Sequence, residues 1–207
     1  MPGGTSAAVS ENAGVSHLDV MYFKVKRKMK YISILRGINV SGQKKIKMLE
    51  LKLLYESLGF TNVVTYIQSG NVIFEARGKN KSDLKTIIEE AIEKKYKFYV
   101  PVEIRTNREM ESIIKNCPFG AVDLEVDGTK VLVTFLGAKP DNVNVATVLS
   151  YVVSPEKLIV KGKEVYLYCP NGYGKSKLSN TFLENKLGVE ATTRNWKSVH
   201  KLYELSV

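Results

Sequence analysis

Two pairs of polar stretches interrupt an otherwise regularly apolar chain, and both carry groups that hold anions. The first pair is Arg36-Gly37-Ile38-Asn39 with Gln68-Ser69-Gly70-Asn71. A guanidinium is a planar fork of donors. The amides of Asn39, Gln68 and Asn71 and the hydroxyl of Ser69 add neutral donors, a set suited to a phosphate or carboxylate. The second pair is Asn171-Gly-Tyr-Gly-Lys175-Ser176-Lys177 with Thr192-Thr193-Arg194-Asn195-Trp196. A glycine-rich loop opening a helix presents free N–H groups to an anion. Lys175, Lys177 and Arg194 add charge, Asn195 an amide, and Trp196 a face for stacking. A structural role competes in each case. Asn39, Ser69, Gly70 and Asn71 suit turns that satisfy their own backbone, and Trp196 suits a core anchor.

Other chemistries fit less well. Gly174-Lys175-Ser176 resembles the end of a phosphate-binding P-loop, but Cys169 stands where the first glycine of that motif belongs. Lys161–Tyr168 matches both ends of an RNA-recognition strand signature, with Lys163 and Glu164 where an aromatic and a small residue belong. His17 and His200 lie near no Gly-x-Ser-x-Gly turn, so no catalytic triad is expected. Two cysteines, Cys117 and Cys169, and two histidines cannot close a Cys/His zinc site, and no metal is expected. Nothing in the sequence names a cofactor.

The elements that must position these residues follow from periodicity. The 207 residues are 44% hydrophobic and 25% charged, enough apolar surface to exclude full disorder. The net charge is +10, and residues 21–47 hold nine Lys and Arg and no acid, which permits a phosphate-bearing small molecule or a nucleic acid as partner. No apolar run approaches the roughly 20 residues of a membrane span, so no membrane partner is expected. The low cysteine count fits the cytoplasm. Residues 1–20 are rich in Gly, Ala and Ser without periodicity, and with the flanking basic run Lys24–Lys28 the stretch 1–28 reads as a disordered tail.

From Met29 the chain reads strand, helix, two strands in a hairpin, helix, strand. Strands are expected at Tyr31–Leu35, Val63–Ile67, Val72–Phe74 and Val100–Ile104. Helices are expected around Met48–Leu58 and after Ser82, with a capping box at Thr106–Glu109 before a short third helix. The order recurs about a hundred residues on. Val131–Leu136, an Asp141-capped helix, a hairpin around Gly162-Lys163, a helix from about Lys175 to Leu187, a strand near Glu190–Thr193 and a closing helix from Trp196 make up the second half. The fold class expected is α+β: two tandem ferredoxin-like halves, 29–118 and 119–207, each an antiparallel sheet with helices on one face.

Four separated motifs carry a resemblance. Ser33-Ile-Leu-Arg-Gly-Ile-Asn-Val40, Tyr66-Ile-Gln-Ser-Gly-Asn-Val-Ile-Phe74, Gly172-Tyr-Gly-Lys-Ser-Lys-Leu-Ser179 and Ala191-Thr-Thr-Arg-Asn-Trp196 are similar to signatures of the bacterial family catalogued as domain of unknown function 1697. The resemblance spans about Met29 to Leu205. It implies a soluble bacterial protein of two related α+β halves, and no established reaction. Taken together, the sequence points to a protein that binds an anionic ligand through Arg36, Lys175, Lys177 and Arg194. An enzyme acting on a phosphorylated small molecule and a protein–protein interaction module are the alternatives.

Overall fold

The computed structural model describes residues 28–207. The expected tail, residues 1–28, lies outside them except for Lys28.

The first half runs β1 (Lys28–Leu35), α1 (Met48–Ser57), β2 (Thr61–Tyr66), β3 (Asn71–Arg77), α2 (Lys81–Tyr96), β4 (Val102–Thr106) and α3 (Asn107–Lys115). The second half repeats this as β5 (Val131–Leu136), α4 (Asn142–Leu149), β6 (Lys157–Lys161), β7 (Glu164–Tyr168), α5 (Asn180–Leu187), β8 (Ala191–Asn195) and α6 (Trp196–Ser206). Each half builds a four-stranded antiparallel sheet. The strand orders are β2-β3-β1-β4 and β6-β7-β5-β8, which are the same order twice.

Helices cover both faces of each sheet, which corrects the expectation of one helical face. On the outer side of the first sheet, Tyr31, Leu35, Val72 and Phe74 pack with Leu51 and Tyr55 of α1 and Leu84, Ile88 and Ile92 of α2. On the outer side of the second, Leu132, Leu136, Val165 and Leu167 pack with Val148 of α4 and with Leu183 and Leu187 of α5. The remaining faces meet a single shared core. Ile32, Ile34 and Ile73 from the first sheet and Val131, Val133, Phe135 and Tyr166 from the second pack there with Met110 and Ile113 of α3 and Trp196, Val199 and Leu202 of α6. The central strands β1 and β5 therefore bury side chains of both parities. That is why YISIL and VLVTFL read as unbroken apolar runs and not as alternation. Their two polar exceptions are paired. Ser33 Oγ lies 2.8 Å from the Tyr55 hydroxyl, and Thr134 Oγ1 lies 2.8 Å from Thr193 Oγ1.

Helix starts follow cap chemistry. Asp141, Ser179 and Asn195 accept the third N–H of α4, α5 and α6, and Thr106 with Glu109 closes the capping box of α3. Asn80, not Ser82, caps α2. The helix expected from Lys175 begins only at Asn180. Between them Gly172 takes φ +93, Tyr173–Lys175 form a single 3-10 turn, and Ser179 supplies the cap. The glycine-rich loop therefore opens no helix, and no N-terminal N–H array is available at Lys175. Among the described residues no helix is long and apolar enough to cross a membrane.

Candidate functional site

Both expected polar pairs contribute to one cleft between the halves, of about 640 Å³. Arg36 stands just past the end of β1 on its floor. Its Nε donates to the Ala191 carbonyl at 3.1 Å, and Nη2 forms an ion pair with Glu184 of α5. These contacts use two of its five N–H donors and fix the plane of the fork. Asn39, expected beside the Gln68–Asn71 hairpin, is there. Its Nδ2 donates to the carbonyls of Ile46 and Gln68 at 2.9 Å, and its Oδ1 accepts from the Ile46 N–H. Asn39 thus staples the Gly37–Lys47 loop to the hairpin and has no ligand-facing donor to spare. Gln68 meets Asn39 through its side-chain oxygen at 3.4 Å.

Arg194 on β8 reaches the same place from the other half. Nε donates to Asn71 Oδ1 at 2.7 Å. Nη1 donates to Thr192 Oγ1 and the Thr193 carbonyl, and Nη2 to the carbonyls of Leu35 and Ser69 at 2.8 Å. All five donors are taken, and the residue is 8% exposed. Every partner is neutral. Among the described residues no carboxylate pairs with Arg194, and burial pushes the guanidinium down to about 10, still charged at neutral pH. Asn71, fully buried, is itself oriented by donating to the Tyr66 carbonyl and the Ser69 hydroxyl.

The first half returns the same clamp to the second with one chemical difference, carboxylates among the partners. Arg105 sits on β4 where Arg194 sits on β8. Its Nη1 donates to Glu103 and the Ile104 carbonyl, its Nη2 to the Leu136 carbonyl, and its Nε to Glu164. Position for position, Glu103 replaces Thr192, Leu136 replaces Leu35, and Glu164 replaces Asn71. This second cleft, of about 520 Å³, is lined by Lys81, Lys85 and Lys163 but also by Glu103, Glu109 and Glu164. Most of its charges are met internally: Lys85 pairs with Glu89, Glu103 and Glu190, and Lys81 with Glu109, while Lys163 donates to the Gly137 carbonyl. The first cleft is lined by Arg36, Lys44 and Arg194 and by no acid. A row of neutral hydroxyls completes it. Thr193 Oγ1 donates to Asn180 Oδ1 at 2.9 Å and receives the Tyr173 hydroxyl at 3.4 Å, and burial raises the Tyr173 phenol above its ordinary value.

The expected grouping of Lys175 and Lys177 with Arg194 does not form. Both lysines are exposed and line a different depression, with Tyr151, Ser154 and Glu156, because the loop ends in a turn and not at a helix start. Asn195 spends its side chain capping α6, accepting from the Ser198 N–H at 2.9 Å. Trp196 is 3% exposed in the shared core, its ring 5.0 Å from that of His200. Both are structural. Lys44, Ser41, Asn180 and Thr181 line the cleft without having been expected there. The nine basic residues of 21–47 were a pointer to Lys44, whereas Asn180 and Thr181 are brought in only by packing of the halves. Among the described residues no group of His, Cys, Asp and Glu is placed to hold a metal ion.

Comparison with known proteins adds fold and family. No curated protein matches the chain. Among solved structures, the conserved bacterial protein SP0830 from Streptococcus pneumoniae is similar, with a TM-score of 0.70 and 23% identity, over 87% of this chain and 100% of that one. At that identity the likeness is one of fold. A family model described as a protein of unknown function, DUF1697, matches residues 29–166, well over half the chain and including the Arg36 and Gln68–Asn71 stretches, and the chain belongs to that family.

Proposed function

We propose that the cleft between the two halves binds an anionic ligand, a phosphate-bearing small molecule. The observation that carries this is the missing counter-charge at Arg194. A buried cation is costly unless opposite charge lies nearby. The same hydrogen-bonding geometry at Arg105 includes two carboxylates, and at Arg194 includes none. With Arg36 and Lys44 on the same walls, an anion in the cleft supplies what the chain omits. The cleft volume is in the range of small-molecule sites. A nucleic acid is less well supported: both faces of both sheets are covered by helices, which removes the open sheet on which RNA-recognition folds stack bases. The tandem ferredoxin-like reading, with halves 29–118 and 119–207, is supported by the repeated strand order, with α3 and α6 as additions to it. A cytoplasmic setting fits the two free thiols.

The test imports the carboxylate of the second cleft into the first. Thr192→Glu adds at the register of Glu103 an acid that Arg194 can pair with. Thermal unfolding of both proteins is followed with inorganic phosphate, sugar phosphates, nucleotides and oligonucleotides. The wild type gains melting temperature by mass action with a phosphate-bearing small molecule, and Thr192→Glu, still folded, binds it at least about tenfold more weakly, the scale of a lost charged hydrogen bond. An unaltered response in Thr192→Glu, or none to any anion in the wild type, overturns the reading.

A further inference from the structure

The segment that walls the cleft on the side of the first half is the loop from Gly37 to Lys44, and its backbone is unusual. Gly37, Asn39, Ser41, Gly42 and Lys44 all take positive φ, between 43° and 76°. Residues interspersed this way between the two hands turn successive N–H groups toward a common concavity, the arrangement that backbone anion nests share. The loop also withholds donors from the rest of the chain. Asn39 N–H bonds the Lys44 carbonyl and Gln43 N–H bonds the Val40 carbonyl. The N–H groups of Gly37, Ile38, Ser41 and Gly42 meet no acceptor among the described residues. For Ile38 this is costly, because the residue is 1% exposed and a buried N–H is normally paired. Asn39 holds the loop in place through three hydrogen bonds, so the donors are pre-positioned.

We infer that the backbone of the Gly37–Lys44 loop is the seat for a tetrahedral phosphoryl group, with Arg36 as its side-chain contact and Arg194 acting through its field alone. The inference rests on the proposed anion-binding cleft and assigns the group that enters it. Several N–H donors left without an acceptor on one loop match an oxyanion with three terminal oxygens better than a planar carboxylate, and Arg36 retains three N–H donors beyond its bonds to Ala191 and Glu184. Arg194 retains none.

Amide resonances of the intact protein, followed by NMR during titration with inorganic phosphate, phenyl phosphate and, at matched ionic strength, acetate, test this. Phosphate or phenyl phosphate moves the amide protons of Gly37, Ile38, Ser41 and Gly42 downfield, and acetate does not. Which of the two phosphates binds more tightly separates a free phosphate from an ester as source. Gly42→Ala, which puts a side chain on a residue at φ +76 with open space around it, weakens phosphate binding about tenfold through loss of the left-handed state. Gly42→Asn, which tolerates that state, restores it. Phosphate binding that is lost in Thr192→Glu but leaves the four amides unmoved overturns the loop seat while sparing the anion cleft. No phosphate or phenyl phosphate binding at all overturns both.

Discussion

Arg194 works as a fastener before it works as a charge. It ties β8 to Asn71, to the Leu35 carbonyl at the end of β1 and to the Ser69 carbonyl in the turn before β3, across the boundary between halves. Lysine at this position keeps the charge but cannot reach five acceptors. Arg194→Lys is expected to cost about 2–4 kcal/mol of stability, the range for leaving buried polar groups unpaired, measured by urea unfolding. A loss below about half a kcal/mol, the size of a neutral surface change, would refute the clamp. Arg36→Lys, at a partly exposed site, is expected to leave stability within about 1 kcal/mol while lowering phosphate affinity. At this scale the sequence was legible where topology is local. Asn39 meets the Gln68–Asn71 turn because a strand end and the next hairpin share one sheet edge, whereas Arg36, lining the same cleft as Ser69, spends its side chain on Ala191 and Glu184 of the other half. Arg194 stood out as chemistry, but its partners, Asn71 and Leu35, lie more than a hundred residues away and belong to the other half. Nothing in a stretch such as Thr-Thr-Arg-Asn-Trp states that its arginine will be fully consumed.

Among the elements, α3 shows how much a helix start contributes. Thr106→Ala removes half of its capping box and is expected to cost about 1 kcal/mol. Glu109 supplies the other half. Burial pushes its carboxyl up, but the Lys81 ammonium and the Thr106 N–H and hydroxyl outweigh that and hold it below the ordinary 4.5. A carboxyl lowered on folding contributes stability that is present above its unfolded value and is lost as pH falls through the folded one. The penalty of Glu109→Gln should therefore be largest at neutral pH and shrink in acid, compared by urea unfolding at both. A penalty that grows on acidification would show the sign to be wrong. The caps at Thr106 and Asp141 were readable, since they depend on three or four neighbouring residues. The start of α5 was misread because Lys175-Ser176 follows two glycines and mimics a helix opening, while the cap that wins is Ser179. The second helical layer was also missed. Its signal lay in the central strands, where apolar side chains at nearly every position of β5 require cover on both faces.

At the scale of the molecule, α3, α6 and both sheets bury one shared core, so the halves are expected to unfold as a single unit. Calorimetry is expected to show one transition whose calorimetric and van't Hoff enthalpies agree. Two separable transitions would mean that each half is stable without the other. The reciprocal clamps, Arg105 reaching Leu136 and Arg194 reaching Leu35, are what an isologous pair of identical subunits would make across a two-fold axis. Such a pair is bound by its symmetry: any carboxylate gained in one cleft appears in the other, and any anion seat is present twice or not at all. Covalent linkage of the halves lifts that constraint. One cleft carries Glu103 and Glu164, which pair with its arginine, while its counterpart carries Thr192 and Asn71 and gives its arginine neutral partners alone. In evolutionary terms, a duplicated unit fused into one chain can divide between its two copies the tasks of binding and of cohesion, which a homodimer must carry out at the same residues.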